Sequence, residues 1–426
     1  MAPSATQQNG HRGEQDLDLT SSAVEHRMAE NAASDSNSTG AASNGVSQPN
    51  VHELDASKLS YNFTQNPREL PALGVTQDNG NSICTDHMIT VKWSAKNGWE
   101  APELKPFGPF TLMPTASVLH YATECFEGLK VYRGHDGKLR LFRPDRNCER
   151  MLMSSVRISL PSFPPKELEK LIISLMSVDG PKWLPRDRAG SFLYLRPTMI
   201  GTQSQLGVQA PSEALLYIIC SYMAPMDSPA GGMKLHTSPD DMIRAWAGGF
   251  GYAKVGANYG PSLLATKEAR ARGYHQILWL YGGTGECTEA GASNFFVVWK
   301  TREGKTQIVT APLDDRVILA GVTRSSVLAL ARERLADEVE IVERKYTIND
   351  VIEASAEGRL IESFASGTAY FICPISHIHH RGRDIHIPAG KGGEGAPITL
   401  RLKKWLVDIK YGGVDHPWGI VVPEEH

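Results

Sequence analysis

Gly248-Gly249-Phe250-Gly251-Tyr252-Ala253-Lys254-Val255-Gly256-Ala257-Asn258-Tyr259-Gly260-Pro261 sets one lysine among five glycines, with an asparagine and a tyrosine close behind it. Glycine loses the most freedom on folding, so this density implies close backbone approach or positive φ. Downstream, Pro261 suits a first helical turn, Leu263, Leu264, Ala265 and Ala269 give apolar spacing, and Gly273 can end the helix. Lys254 therefore sits on an irregular lead-in to a helix, where a side chain can reach a ligand. A lysine whose pKa is lowered by burial or a neighbouring cation becomes a nucleophile that forms imines with carbonyl compounds. Taken alone, the stretch reads as readily as a flexible loop with a solvated lysine.

The chain has 426 residues, room for two or three domains at about 150 residues each. Hydrophobic residues make up 41% and charged residues 21%, the balance of a soluble globular protein with ample core. A formal net charge of −3 makes no electrostatic case for nucleic acid or a membrane surface as partner. No apolar run reaches the ~18 residues of a membrane span, and the N-terminus lacks the basic-then-apolar order of a secretory signal. The six cysteines, at 84, 125, 148, 220, 287 and 373, show no metal-ligand spacing and no C-x-x-C pair, which predicts buried, reduced thiols. His377, His379, His380 and His386 are interrupted by Arg381-Gly382-Arg383 and read as a polar loop, with no metal expected.

Residues 1–54 are rich in Ser, Asn, Ala and Gln and poor in aromatics, so they are expected to form a disordered tail. A mitochondrial presequence is rich in Arg and poor in acids, whereas Glu14, Asp16, Asp18, Glu25 and Glu30 outnumber Arg12 and Arg27 here. The expected location is the cytoplasm, with mitochondria as the alternative. Residues 55–223 read as a small α+β domain: strands at 89–93, 192–200 and 214–222, a hairpin from 129–132 and 139–142, and helices at 145–158 and 166–178. Pro225, Pro229, Gly231 and Gly232 mark 224–234 as a linker. Residues 235–426 then form a larger domain, with strands at 277–281, 294–299, 308–311 and 339–342 and a helix at 322–335. Thr347 to Asp350 resembles a capping box, 363–373 a strand broken at Ser366-Gly367-Thr368, and 398–409 a closing helix.

Four stretches read together with Lys254. Thr288-Glu289-Ala290-Gly291-Ala292-Ser293-Asn294-Phe295-Phe296 puts a carboxylate just before a strand. Leu319-Ala320-Gly321-Val322-Thr323-Arg324 puts a glycine at a helix start, where free N–H groups and the dipole can hold a phosphate. Ser366-Gly367-Thr368-Ala369 is a second tight turn with amides and a hydroxyl, and Arg150 is a fork-shaped donor on a helix of the first domain. An imine-forming lysine, a carboxylate and a phosphate cup are what pyridoxal 5'-phosphate needs, because a protonated pyridine ring can act as an electron sink. The full Walker motif G-x-x-x-x-G-K-[ST] is absent and no G-x-G-x-x-G follows a strand read here, so nucleotide folds compete poorly.

These runs make the chain resemble a branched-chain amino-acid aminotransferase of the class IV pyridoxal-phosphate enzymes. The class pattern reads here as Glu289 to Phe296, then Thr310, then Leu319 to Arg324. Phe126-Glu127-Gly128-Leu129-Lys130 and Asn258-Tyr259-Gly260-Pro261 narrow the resemblance to the eukaryotic-type branched-chain group, over about residues 60–412. It implies a two-domain α+β fold of type IV, and transamination of Leu, Ile and Val with 2-oxoglutarate by a ping-pong cycle. By the same resemblance Lys254 is the Schiff-base lysine, Glu289 the partner of the pyridine nitrogen, and Tyr259 a donor to the ring oxygen. Arg150, the amides of Val322 and Thr323, and Thr368 would hold the phosphate. Tyr121, Phe126, Tyr194 and Arg196 would line the substrate pocket, with the Ala369 amide facing the substrate carboxylate. A homodimer is implied, since in the family the partner subunit closes one side of that pocket.

Two departures stand out. Tyr370-Phe371-Ile372-Cys373 occupies the place of the redox C-x-x-C of animal mitochondrial members, which rules out a thiol switch there, and Ala292 stands where those members have a threonine. The rival readings are another enzyme of the same fold, a D-amino-acid aminotransferase or an aminodeoxychorismate lyase, and a non-catalytic homologue kept for interactions. The F-E-G-L-K and N-Y-G-P runs disfavour the first two, and the intact Lys254, Glu289 and Arg150 disfavour the third.

Overall fold

Apolar runs that alternate or persist along the chain pair into two large sheets, and the lysine-bearing loop is stitched to elements of both. A computed structural model describes residues 52–223, 228–369 and 371–424. Within these, the first sheet runs in the order Ser60–Tyr61, Glu103–Pro106, His87–Ser94, Glu213–Ser221, Phe192–Gly201, Leu129–Arg133, Leu139–Phe142 and Gly419–Val422. The helices Pro144–Arg157 and Pro165–Trp183 cover it, burying Met151, Leu168, Leu171, Ile172 and Leu175 against Val131, Leu193 and Leu216. Both helices carry proline in the first turn, where its missing N–H costs nothing.

The second sheet begins Glu286–Ala290, Gln276–Tyr281, Met233–Thr237, Phe371–His380, Leu360–Gly367, Ser293–Lys300, then continues to Thr306–Thr310 and Glu340–Glu343. Glu286–Ala290 also pairs with Ser293–Lys300, so the sheet closes on itself into a barrel. Leu235, Leu278, Phe295, Val297, Ala365 and Ile375 join one buried cluster. A second cluster sits where the helices Val322–Arg334 and Pro397–Lys410 meet Phe296 and Phe364 of the barrel and Tyr132 and Phe142 of the first sheet. The capping box is present: Thr347 accepts from the Asp350 amide at 3.2 Å, and Asp350 from the Thr347 amide at 2.7 Å.

Several boundaries differ from the sequence reading. Of the expected tail, residues 1–51 lie outside the described residues, but Leu54 is only 2% exposed and joins the first core, so the fold reaches back at least to His52. Residues 224–227 of the expected linker also lie outside the description, and its last two residues belong to the strand Met233–Thr237, whose Met233 is buried. The expected broken strand at 363–373 is two antiparallel strands joined by the turn after Gly367, with Ala365 opposite Cys373. The histidine-rich segment is not a loop. It lies on Phe371–His380 and Arg383–His386, paired so that Ile378 faces Ile385 in the core while His377 and His379 share Asp384 at 2.8 Å. Polar residues on the alternate face mask that strand in the sequence. The closing Gly419–Val422 leaves the expected 235–426 domain and pairs with Leu139–Phe142 of the first sheet. Its four residues are too few to show a period.

Candidate active site

Backbone pairing holds the Lys254 loop in place. Cys125 bridges Val255, the Phe126 amide donates to the Lys254 carbonyl at 3.1 Å, and the Lys254 amide donates to Ser154 Oγ at 2.8 Å. Asn258 donates to the carbonyls of Phe250 and Ala253, which folds the loop back on itself. Gly256 packs closely against Glu124, whose Oε2 would lie 2.1 Å from an added Cβ and would have to move aside. The result points Lys254 Nζ at Tyr259 OH, 3.0 Å away, and over the Phe126 ring at 4.6 Å.

Glu289, expected just before a strand, lies on one, Glu286–Ala290, opposite Asn294 across the barrel's closing seam. Its Oε1 accepts from the Leu319 amide at 3.2 Å and from Asn294 Nδ2 at 3.4 Å. Arg244 Nε lies 2.7 Å from Glu289 Oε2, near enough for strong attraction yet not aligned for a hydrogen bond, so that oxygen keeps an acceptor position open. Burial pushes the Glu289 carboxyl above its usual range, and Arg244 opposes the push. Arg244 also donates to the carbonyls of Val317 and Gly251, tying together the carboxylate, the lysine loop and the approach to the 320–324 turn.

That turn opens the helix Val322–Arg334, whose first amides have no partner within the helix. Gly321 lets the turn pack directly on Asn294, whose Oδ1 an added Cβ would meet at 2.1 Å. Val322, Thr323 and Thr368 line one small cavity, and Thr368 Oγ1 donates to the Gly128 carbonyl at 3.2 Å. Arg150 reaches the same turn, donating from Nη1 to the Ala320 carbonyl at 3.0 Å. Its other two nitrogens grip Glu127, Nε to Oε1 at 2.7 Å and Nη2 to Oε2 at 2.8 Å, with Asn147 Nδ2 adding a third bond at 2.8 Å.

The wall opposite is aromatic and cationic. Arg196 lies over the rings of Phe126 and Tyr194, bonds Tyr194 OH at 3.1 Å, and keeps a buried Nε without a partner among the described residues. The Tyr194 hydroxyl occupies the space a side chain on Gly128 would need, 1.9 Å from an added Cβ. Lys130 Nζ donates to the Ala369 carbonyl at 2.9 Å and so braces the second turn. Tyr121 stands apart. It is 38% exposed at the end of the short helix Val118–Tyr121, and its hydroxyl accepts from the Gly207 amide at 3.0 Å.

The chain thus brings Lys254, Tyr259 and Phe126 together, binds Glu289 to Leu319, and places Arg150 at Ala320. Sequence reasoning misses Glu127, Arg244, Asn147 and Ser154. Asn147, Arg150 and Ser154 follow an i, i+3, i+7 spacing, a polar stripe on a helix face that also buries Met151, and that stripe is a readable signal. Nothing local marks Arg244.

A protein-family model for amino-transferase class IV matches residues 124–378. The mitochondrial branched-chain-amino-acid aminotransferase of Schizosaccharomyces pombe is 47% identical over 339 residues, 79% of this chain and 78% of that protein. The cytosolic one of Mus musculus is 43% identical over 390 residues, 89% of this chain and 99% of that protein. Among solved structures, the T.th. branched-chain amino acid aminotransferase complexed with N-(5'-phosphopyridoxyl)-L-glutamate superimposes with a TM-score of 0.59 at 26% identity, over 78% of this chain and 98% of that one. The family model takes in more than half of the chain and the relatives' similarity spans both sheets, so the chain belongs to the class IV aminotransferases, in the branched-chain-amino-acid aminotransferase family.

Proposed function

We propose that this transaminase moves the amino group of leucine, isoleucine or valine to 2-oxoglutarate, giving branched-chain 2-oxo acids and glutamate in two half-reactions at one site. The observation that carries the reading is Lys254 Nζ, 3.0 Å from Tyr259 OH in a site walled by Phe126. The residues fit pyridoxal 5'-phosphate: Glu289 Oε2 is buried with an acceptor position open, and Gly321 leaves a side-chain-free approach to the first amides of a helix. Bound there, the cofactor supplies an electron sink conjugated to the substrate nitrogen.

The chain's own groups do the rest. Lys254 Nζ takes the proton from the substrate Cα and returns it, and Tyr259 OH holds that amine in line. Glu289, drawn toward its ionised form by Arg244, keeps a proton on the pyridine nitrogen. Arg150, the Val322 and Thr323 amides and Thr368 hold the phosphate. The unpartnered Arg196 Nε is suited to a carboxylate, which allows glutamate to enter the pocket that admits apolar side chains beside Phe126 and Tyr194. Ala369 offers its amide to the substrate's α-carboxylate.

Tyr121, exposed as are Met113, Leu119, Leu206 and Val208, supports a homodimer in which this apolar face is covered and Tyr121 lines the partner's pocket. Among the described residues no helix is long and apolar enough to cross a membrane. The acids among residues 1–50 support a cytoplasmic location, which imaging of the full-length protein tests.

The test is a panel of amino donors at fixed 2-oxoglutarate, with Lys254→Ala as control. Apolar pockets separate substrates one methylene apart by only ~1–3 kcal/mol, so all three branched donors should work within about two orders of magnitude. The control should lose turnover and the visible absorption band that borohydride bleaches. Preference for aromatic, acidic or D-amino donors would defeat the branched-chain reading, and turnover by Lys254→Ala would defeat the whole assignment.

A further inference from the structure

Around the turn that opens the Val322–Arg334 helix, the charges do not balance in the expected way. A phosphate ester brings close to two negative charges. Arg150 is the cation assigned to it, yet both oxygens of the buried Glu127 already neutralise that guanidinium. The pair therefore offers a phosphate hydrogen-bond donors and almost no net charge.

Two other cations are close by. Lys130, on the strand Leu129–Arg133, and Lys410, the last residue of the helix Pro397–Lys410, both line a cavity of about 20 Å³ together with Asn147, Val322, Thr323 and Thr368. That is room for about one water molecule. Lys410 is 2% exposed. Among the described residues neither lysine has a carboxylate within ion-pair distance. Lys130 donates to the Ala369 carbonyl, and Lys410 rests on rings, Phe371 at 3.8 Å and Phe142 at 4.7 Å. Buried ammonium groups are normally paired, because ring faces and carbonyls replace little of the hydration lost. Two of them facing one cavity, whose lining mixes Asn147, Thr323 and Thr368 with Leu129, Tyr132 and Phe142, and with no anion supplied by the described residues, are groups awaiting one from outside.

We propose that Lys410, with Lys130, supplies the positive charge that balances the phosphate of the cofactor, acting across the water-sized cavity beside Val322, Thr323 and Thr368. The inference rests on the cofactor reading above and adds to it the residue that makes the site select a phosphorylated ligand. Burial holds both lysines below the usual ammonium range, Lys130 at about 8 and Lys410 further depressed by Lys130 as well, which is the penalty a bound dianion relieves.

The experiment compares cofactor-free full-length parent and Lys410→Met, titrated with pyridoxamine 5'-phosphate and with unphosphorylated pyridoxamine, each followed by ligand fluorescence. The variant should bind the phosphorylated ligand at least ~10-fold more weakly and the unphosphorylated one within about two-fold of the parent, the effect of losing a charge-assisted contact. Its cofactor-free Tm should rise, because an unpaired buried cation has been removed. Equal loss of both ligands would mark Lys410 as a packing residue and overturn the proposal, as would unchanged affinity for pyridoxamine 5'-phosphate. If Lys410→Met fails to fold, Lys410→Gln is read against the same criteria. A parent with no preference for the phosphorylated ligand would overturn the cofactor reading itself, an outcome distinct from the other two.

Discussion

Arg244 shows how much one buried side chain can coordinate. Its guanidinium touches Glu289, Gly251 and Val317, which sit on a strand, on the lysine loop and on the lead to the 320–324 turn. Breaking a buried ion pair from one side costs about 3–5 kcal/mol, because the remaining charge is left uncompensated. Arg244→Met should therefore lower the Tm of the cofactor-free protein, and the deficit should depend on pH. The Glu289 carboxyl is already raised from its ordinary 4.5 by burial, and losing Arg244 raises it further. A carboxyl raised in the folded state favours folding fully below its unfolded value, and that contribution is lost as pH rises through the folded value. The gap in Tm between variant and parent should widen from acid toward neutral pH, as calorimetry at several pH values would record. A gap constant with pH would mean that Arg244 does not act through Glu289.

At the scale of elements, the site depends on glycines at contacts where a strand, turn or helix approaches another. Gly321 caps the Val322–Arg334 helix directly against Asn294, the residue that also bonds Leu319 and Glu289. Overpacking typically costs about 1–3 kcal/mol. Gly321→Ala should lower Tm by that order and also weaken cofactor binding, because Asn294 must move and the amides of the helix start move with it. Thermal melts and a cofactor titration on the same preparation check both halves. A stable variant with full cofactor affinity would show that the approach is looser than the geometry implies.

For the whole molecule, the telling fact is that Tyr121 lies on the surface, bonded to Gly207, with Leu119, Leu206 and Val208 exposed as well. In the proposed homodimer it completes the partner's site. Tyr121→Ala alone should be impaired and Lys254→Ala alone inactive. Refolding the two variants together should restore activity, since each mixed dimer then holds one pocket with an intact lysine and an intact tyrosine from across the interface. Turnover assays before and after mixing decide this. No gain on mixing, with dimers seen by sedimentation, would place Tyr121 outside the partner's pocket.

Much of this was written in near neighbours. The strands Phe192–Gly201 and Glu213–Ser221, the helix Val322–Arg334 and the capping box at Thr347 follow from periods of two and 3.6 residues and from end signals that act within one turn. Lys254 could be singled out only by reading its glycine-rich run together with Glu289, Gly321 and Arg150, since the run alone reads equally as a flexible loop. Partner choice is different. That Arg150 would grip Glu127, that Arg244 would find Glu289, and that Gly419–Val422 would return to Leu139–Phe142 depend on segments far apart in the chain. An arginine carries the same donors wherever it stands, and a short strand pairs with whichever edge the packed cores leave open. Local sequence therefore determined the elements and put Lys254 forward as a candidate, while the charge pairs, the barrel closure and the surface position of Tyr121 were decided by the burial of two sheets' worth of apolar surface, which fixes distances that no spacing in the chain encodes.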